Sequence, residues 1–297
     1  MAELYRRIWK VTGRQQFILI VLSLMVAVLA AVPLQFQKDI INGLSDGMDQ
    51  HRLLMLCAGY LAVLALSSSL KFAMNYRSSI LSESVIKRIR NVIYSDNLGP
   101  DTNTDKERGT LVTMIAAEAE EVGNFAGEAI ASPLLQVGTL ASVVFFVAVS
   151  QPYLGLFIIG VIIPQAFLVL TLQKYINGRI AQRVKILRHS TGLISAQKVK
   201  ETQQAVLDDF DEIYEKRREI FKLKLSMKFA INLIQGVGTV GILLIGGLMF
   251  MDGKTDIGTV VASLSALTRV NDPWRALIAF YRKLSMVRVK FDLLITA

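Results

Sequence analysis

Cysteine and histidine are scarce in this sequence of 297 residues, and their scarcity excludes two kinds of site. Cys57 is the only cysteine, so no intramolecular disulfide framework can form. The two histidines, His51 and His189, lie far apart, and neither has a second metal-ligating residue at a useful spacing. The chain is therefore not a disulfide-bonded secreted scaffold, and we expect it to hold no metal.

The motifs of several enzyme classes are also missing. There is no H-E-x-x-H sequence and no serine–histidine pair, and Asp272 is the only carboxylate within an apolar segment, whereas aspartyl chemistry needs two. A phosphate-binding loop has the form G-x-x-x-x-G-K-[ST]. The nearest match begins at Gly247 and ends at Gly253-Lys254-Thr255, one residue out of register and after no strand. We expect no catalytic residue and no bound cofactor in this chain.

Charged residues are missing from four long stretches, although the chain carries 33 basic and 24 acidic residues. Each stretch reaches the roughly 20 residues that a bilayer-spanning helix needs, and the third is about twice that length. The sequence SQPYLG at residues 150–155 divides the third stretch, because proline and glycine favour a turn. A sixth, weaker apolar segment follows. We predict six spans, at about residues 15–37, 53–76, 129–149, 152–173, 229–251 and 256–281.

Basic residues are distributed unevenly between the loops. The loops after the first and fifth spans hold few, whereas the segments on the other side of the membrane hold many, including Arg6, Arg14, Lys87, Arg183 and Lys216. Because cytoplasmic segments carry the excess of lysine and arginine, we expect both termini in the cytoplasm, with the bacterial inner membrane as the location. This asymmetry explains most of the net charge of +9, so we expect no nucleic-acid partner.

Two segments between the spans, residues 71–128 and 174–228, are long and have helical periodicity. In the first, Val85 and Ile89 share an apolar face. Each segment predicts a helix that leaves the membrane, a turn and a helix that returns. Arms of about 25 residues at 1.5 Å per residue reach roughly 40 Å beyond the lipid. Residues 1–14 alternate apolar and basic side chains, which predicts a short helix on the inner membrane surface.

The order of these elements and several short motifs resemble the transmembrane domain of exporter-type ATP-binding-cassette (ABC) transporters over almost the whole chain. PLQFQKDIINGLSD resembles the exit of that family's first span. ERGTLVTMIAAEAEEV resembles a segment before its third span, with Gly109 matched and Met114 where arginine is usual. ALTRVNDPWRALIAFYRKLSMVRVKFDLL resembles the end of its sixth span. The family's E…G…V…F region is matched only by Glu201, Val206 and Phe210, without the glycine.

The resemblance implies an all-α polytopic membrane protein, in which six transmembrane helices extend into long cytoplasmic helical hairpins. Residues 1–297 would form a single transmembrane domain without a nucleotide-binding domain. Its partners would be the lipid bilayer, a second transmembrane subunit, identical or different, and a separate ATPase subunit or domain that binds ATP and magnesium. The hairpin tips, at about residues 100–109 and 199–209, would contact that ATPase. The residues expected there are Asp101, Thr104, Asp105, Lys106, Glu107, Arg108, Glu201, Gln204 and Asp208.

Polar residues within the predicted spans indicate a cavity. Counted from the outer end of the sixth span, Arg269 lies about 20 Å deep and Arg275 about 30 Å, with Asp272 between them. Polar residues of other spans lie at a similar level, namely Lys71, Asn75, Gln136, Asn232 and Gln235. Together they predict a wet cavity open to the cytoplasm, and Pro273 predicts a bend there. Alternatively, Arg275 and Lys71 reach the headgroups, and Arg269 and Asp272 neutralise each other.

The leading hypothesis is a transporter permease subunit that dimerises, encloses a substrate path and alternates between inward-open and outward-open states. The basic excess at the cavity level favours an anionic or amphipathic small molecule or peptide, and the resemblance to exporters favours outward transport. The alternative is an ATP-independent secondary transporter or a receptor-like helical module, although no inverted repeat is evident. The single membrane carboxylate disfavours an intramembrane enzyme.

Overall fold

The computed structural model describes residues 2–96, 119–195 and 199–296, and the regular structure in these ranges is α-helical throughout. The prediction of an all-α fold is therefore confirmed. In chain order the helices are α1 Ala2–Leu29, α2 Val32–Ser45, α3 Gln50–Asp96, α4 Ala119–Glu128, α5 Ala131–Ser150, α6 Pro152–Ser195, α7 Val199–Met251, α8 Ile257–Arg269 and α9 Asn271–Thr296.

Five helical segments are long and apolar enough to cross a bilayer. They are Ile8–Ser45, Gln50–Ser95, Ala119–Ser150, Pro152–Thr191 and Gln203–Met251. These segments carry the first five predicted spans. The sixth predicted span is divided between α8, which has 13 residues, and the beginning of α9. Since a bilayer crossing needs about 20 residues, α8 cannot cross without the start of α9.

Three of the predicted spans contain a break, and a proline follows each break by two to four residues. The breaks lie at residues 30–31, 129–130 and 270. The prolines are Pro33, Pro133 and Pro273. Proline has no backbone N–H for the carbonyl four residues earlier, and its ring collides with that carbonyl, so a helix tends to end near it. The bend predicted at Pro273 is present as this third break, and the other two were not predicted.

Three helices are much longer than a membrane crossing. The helices α3, α6 and α7 contain 47, 44 and 53 residues. At 1.5 Å per residue they extend over about 65 to 80 Å, more than twice the roughly 30 Å thickness of the hydrocarbon core. Each therefore has the length to combine one span with one arm of a hairpin, as the sequence predicts.

Residues 2–14 lie on the same continuous helix as most of the first predicted span. From Ala2 the helix α1 continues without a break to Leu29, and its Ile8 is buried in one cluster with Phe125 and Val287. Gly13 is a single glycine, and the cost of one glycine in a helix, about 1 kcal/mol, is too small to break it when one face is buried. The start of α1 therefore packs against protein on its Ile8 face.

The chain divides into two compact units, Met1–Gly155 with Gly246–Ala297 and Leu156–Ile245. In unit 1, α1 packs against α3 and α5, α2 packs against α3 and α8, and α9 packs against α4 and α5. Helices α1 and α4 begin, and α9 ends, at the same end of unit 1. A buried cluster that contains Ile8, Phe125 and Val287 lies there. We call this end of unit 1 its terminal end.

Within unit 1, α4 approaches α3 closely because two glycines face α3. A Cβ atom added at Gly127 would collide with the backbone oxygen of Ser78, and one added at Gly123 would collide with Ile86. Ser78 Oγ also donates a hydrogen bond to the Gly127 carbonyl at 3.0 Å. Glycines four residues apart allow two helix backbones to approach in this way, so α4 is fixed firmly on α3.

Unit 2 consists of most of α6 and α7, which run in opposite directions and contact each other through polar side chains. Gln165 Nε2 donates to Gln235 Oε1 at 3.4 Å in the part predicted to span the membrane. In the predicted arm, Arg179 Nε lies 3.1 Å from Glu219 Oε2. Unit 2 is thus a two-helix hairpin linked by side-chain contacts in both of its parts.

Candidate functional site

A cleft of about 340 Å³ lies in unit 1 between α3, α5 and α9. Asn75 on α3 and Gln136 on α5, both predicted to line a cavity, line this cleft together. The walls also include the apolar residues Met74, Leu135 and Phe280, the hydroxyl residues Ser78 and Ser132, and the charged residues Glu128 and Lys283. The cleft therefore combines apolar walls with two amides and one charge of each sign.

The charged residues lie nearer the terminal end of unit 1 than the amides do. Glu128 is the last residue of α4. Gln136 follows it by eight residues on α5, which runs away from the terminal end of unit 1. Lys283 follows Ala276, another lining residue, by seven residues on α9, which runs toward that end. Lys283 Nζ donates to Glu128 Oε2 at 2.7 Å. The cleft thus has an amide-lined interior and an ion pair at its terminal end.

The break between α4 and α5 forms one edge of this cleft, and neighbouring helices satisfy its carbonyl groups. Gln16 Nε2 donates to the Ala126 carbonyl at 2.8 Å, and Tyr5 Oη donates to the Ala129 carbonyl at 3.4 Å. Ser23 Oγ, whose one proton is shared with the Leu19 carbonyl at 2.7 Å, lies 3.2 Å from the Ala131 carbonyl. Freed backbone groups at membrane depth are tolerated when protein groups satisfy them in this way. The hydrogen bonds hold Glu128, beside the break, in position.

Arg269 and Asp272, the two charged residues of the sixth span that were predicted to line a cavity, lie on different helices. Arg269 is the last residue of α8, whereas Asp272 lies in the first turn of α9, beyond the break. No ion pair joins their side chains; Arg269 Nη1 instead approaches the Ala30 carbonyl at 3.5 Å. That carbonyl belongs to the break in the first span. Asp272 is exposed at the positive end of the α9 dipole, which favours a carboxylate.

The other basic residues predicted for the cavity do not line the cleft. Lys71 lies one turn before Asn75 on α3 and is exposed, and Arg275 is exposed on α9. Neither these two nor Arg269 and Asp272 belong to the lining of the cleft. Whether any of the four faces a substrate path stays a prediction.

The remaining predicted cavity residues belong to unit 2. Asn232 is exposed on α7, and Gln235, one turn later, accepts the hydrogen bond from Gln165 of α6. The side chain of Gln165 is only 4% exposed, and Gln173, two turns further along α6, is also buried. The sequence contained the signal for both, since each is a polar residue within an otherwise apolar block, but their inward orientation needed the partner helix.

Six of the residues predicted to contact an ATPase, Asp101, Thr104, Asp105, Lys106, Glu107 and Arg108, lie outside the described residues. Of the other three, Glu201 lies in the first turn of α7, where the structure describes only the backbone. Gln204 and Asp208 are exposed one turn apart, and Gln204 Nε2 donates to Asp208 Oδ1 at 3.0 Å. These two are therefore accessible to a partner.

The neighbouring residue, Asp209, makes a contact that sequence reasoning missed. Its Oδ2 atom lies 2.8 Å from His189 Nδ1 and accepts a hydrogen bond from Ser190 Oγ at 2.7 Å. The hydrogen bond with His189, followed by that from Ser190, lowers the pKa of Asp209 below its usual value. These bonds link α6 and α7 close to the predicted tip of the second hairpin.

At the end of unit 1 opposite to the terminal end, a hydrogen-bond network joins α2 to α8. Asp256 caps α8 by accepting bonds from the Thr259 N–H at 2.6 Å and from Thr259 Oγ1 at 2.9 Å. Asn42 Nδ2 donates to Asp256 Oδ1 at 2.8 Å, and Asn42 Oδ1 accepts from the Gly258 N–H at 2.7 Å. Lys38 Nζ lies 3.7 Å from Asp256 Oδ2. The helix ends are therefore linked at this side.

The described part of the chain contains no group of three histidine, cysteine or acidic side chains that could hold a metal ion. Its fold and its cleft define a class of protein: a helical membrane module with long helical arms and a mixed polar and apolar cleft between its spans. The family model for the ABC transporter transmembrane region matches residues 16–195, more than half of the chain, so the chain belongs to this family.

No curated protein matches the chain. Membership of the family makes the chain a membrane permease module of an ABC transporter, which works together with a nucleotide-binding ATPase. The resemblance drawn from the sequence motifs is thereby confirmed.

Proposed function

We propose that this chain is a permease subunit whose substrate path includes the cleft between α3, α5 and α9. Two such subunits would enclose the path and alternate between inward-open and outward-open states, driven by ATPase domains on another chain. The cleft carries the proposal, because it brings two amide side chains from different predicted spans together beside apolar walls. Ligand sites commonly combine apolar walls with a few polar groups that set orientation.

The charge of the cleft supports an amphipathic substrate. Glu128 and Lys283 are of opposite sign and are paired with each other. The amides of Asn75 and Gln136 each offer a donor and an acceptor. A ligand that has a hydrogen-bonding group and an apolar body matches this lining, whereas the basic residues that favoured an anion lie outside it. Export of such a molecule is the direction that the resemblance favours.

An apolar stripe on the arm of α7 supports a second transmembrane subunit. Leu207, Phe210, Tyr214, Phe221 and Leu225 share one helical face and are all exposed. They lie in the segment predicted to extend into the cytoplasm, where lipid cannot cover them. Exposed apolar surface of this kind marks a protein interface. We propose that the second subunit covers the stripe. The cytoplasmic position of the arm goes with the proposed orientation, in which both termini are cytoplasmic.

The predicted tips remain the proposed docking points for the ATPase. No phosphate-binding loop occurs in the sequence, so ATP and magnesium would bind to that partner. The exposed pair of Gln204 and Asp208 and the adjacent link between α6 and α7 through Asp209 support this role for the second tip. A linked hairpin end can transmit the movement of a docked domain as a unit.

The proposal is tested by ligand-stimulated ATP hydrolysis of the assembled transporter in lipid, with a panel of amphipathic, anionic and cationic compounds. For the amphipathic compound that stimulates best, Asn75→Ala and Gln136→Ala should raise the half-maximal concentration about tenfold, because each loses about one hydrogen bond. Val137→Ala is the matched control, since Val137 adjoins Gln136 but is exposed outside the lining. Equal behaviour of all three variants would contradict the assigned path.

A further inference from the structure

An ion pair bridges the terminal end of the cleft. Lys283 Nζ and Glu128 Oε2 are 2.7 Å apart, which is direct hydrogen-bond distance. Both residues line the cleft, and their side chains remain 33% and 48% exposed. The pair thus borders the cleft and is only partly covered by protein.

The position of the pair places it between the amides and the terminal end. Glu128 precedes Gln136 by eight residues, which is about 12 Å at a helical rise of 1.5 Å per residue, with the break at residues 129–130 between them. Lys283 follows the lining residue Ala276 by seven residues, a similar distance. A molecule that enters the cleft from the terminal end passes the ion pair before it reaches the amides.

The backbones beneath the two side chains are fixed, although the side chains themselves are long. The rings of Phe125 on α4 and Phe280 on α9 stack at 5.6 Å beside the pair. Ser78 holds the carbonyl of Gly127, next to Glu128, at 3.0 Å. Opening the pair therefore does not require α4 and α9 to separate. Rotation about the side-chain bonds of Glu128 and Lys283 is sufficient.

We propose that Glu128 and Lys283 form a side-chain strap that closes the terminal mouth of the cleft and opens to admit the substrate. This inference rests on the proposed function, because it assigns the entrance of the same path. A half-exposed ion pair contributes little net stability, so it opens readily, unlike the buried contacts around it. The strap regulates access to Asn75 and Gln136 and leaves the fold unchanged.

The experiment measures how fast a small, uncharged, water-soluble thiol reagent modifies a cysteine inside the cleft. The assembled transporter carries Cys57→Ser and Asn75→Cys, and the reagent is added from the side of the termini. Glu128→Gln or Lys283→Gln should raise the modification rate about two- to fivefold, the effect on an equilibrium of losing a half-exposed pair. Exchanging the charges, with Glu128→Lys and Lys283→Glu together, should return the rate to its original value.

A covalent strap provides the converse test. Glu128→Cys with Lys283→Cys, in a protein with Cys57→Ser and linked by a short bifunctional thiol reagent, should reduce the stimulation of ATP hydrolysis by the amphipathic compound tenfold or more, whereas the same variant before linking should keep it. In the thiol-modification experiment the control is Lys222→Cys, exposed on the arm of α7 outside the predicted spans, which should be modified at one rate in every variant of the ion pair.

The outcomes separate the strap from the path. If Asn75→Cys reacts at the same rate with and without the charges, the strap is wrong and the path stands. If Asn75→Cys reacts only after denaturation in every variant, water does not reach the cleft and both ideas fail. A merely structural pair would lower the unfolding temperature of the single variants and leave the modification rate unchanged, which also overturns the strap.

Discussion

Helices end near prolines of unit 1, whereas a helix continues through the proline at position 164 in unit 2. In unit 1, breaks precede Pro33, Pro133 and Pro273, whereas in unit 2 the helix α6 continues through Pro164 from Pro152 to Ser195. Proline is therefore not sufficient to end a helix here. Since the carbonyl four residues before a proline loses its partner, a break is favoured where neighbouring groups can satisfy the freed carbonyls.

Unit 1 supplies such groups, as two of its breaks show. The Ala129 carbonyl accepts from Tyr5, and the Ala30 carbonyl is approached by Arg269. Pro164 is exposed on α6, and a Cβ atom added at Gly160, four residues earlier, would meet open space. The comparison indicates that protein groups able to satisfy the freed carbonyls, rather than proline alone, decide where a span is interrupted.

The largest expected effect comes from the dense side of this comparison. Gly127→Ala places a Cβ atom against the backbone of Ser78 and should lower the free energy of unfolding by about 1–3 kcal/mol, the usual cost of overpacking. The matched change Gly178→Ala, on α6 where a Cβ atom meets nothing, should raise stability by up to about 1 kcal/mol. Unfolding midpoints in detergent measure both. Equal effects would remove the distinction in packing between the two units.

The prolines themselves give the next test. Pro164→Ala restores a backbone hydrogen bond to a helix that is already continuous, so it should stabilise the protein by roughly 1–3 kcal/mol. Pro133→Ala should change stability by less than about 1 kcal/mol, because Tyr5 already satisfies the Ala129 carbonyl. Thermal unfolding of the two variants should therefore differ clearly. A larger gain at Pro133 than at Pro164 would show that the break is imposed by proline alone.

A smaller effect is expected at the contact between two breaks. Arg269→Ala removes the side chain near the Ala30 carbonyl and should cost about 1 kcal/mol, and Asp272→Ala should cost about 0.5 kcal/mol through the α9 dipole. Because the two side chains do not pair, the double variant should show the sum within about 0.5 kcal/mol. A double-mutant cycle in unfolding measurements gives the coupling. A coupling energy above about 1 kcal/mol would show instead that Arg269 and Asp272 neutralise each other.

The smallest effect is expected in the arm of unit 2 and depends on pH. Hydrogen bonds from His189 and Ser190 lower the pKa of folded Asp209, so their contribution is present above the unfolded pKa of about 3.9. It is lost as the pH falls through the lowered folded pKa. The protection from hydrogen exchange at the end of α6, relative to the intrinsic exchange rate at each pH, should decrease over this acidic range, and Asp209→Asn should abolish that pH dependence. An unchanged pH profile in Asp209→Asn would assign the effect to another group.

The helices and their class could be predicted from the sequence because apolar length and helical periodicity are local properties. Asn75 and Gln136, two polar residues at one predicted depth on different spans, line the same cleft, and their place on a substrate path stays a prediction. The breaks at residues 30–31 and 129–130 could not be predicted from the sequence, because they depend on distant hydrogen-bond donors. Tyr5, for example, lies 124 positions from Ala129.

Ion pairs between residues far apart in the sequence could not be predicted either. Arg269 and Asp272 are close in sequence, which favoured a pair, but the break at Val270 separates their helices. Lys283 and Glu128 are 155 positions apart, so nothing local indicates their contact. Sequence spacing predicts a charge pair only where the helix between the residues is continuous.

The central claim is that the cleft of unit 1 forms part of a path whose access changes with the ATPase cycle. Its most direct test is the rate at which a water-soluble thiol reagent, added from the side of the termini, modifies Asn75→Cys in the assembled transporter. The rate should be high without nucleotide and should fall at least tenfold when the ATPase is trapped with ATP, while the rate for Lys222→Cys, exposed on the arm of α7 outside the predicted spans, stays constant. Equal rates for Asn75→Cys in the two states would contradict the claim.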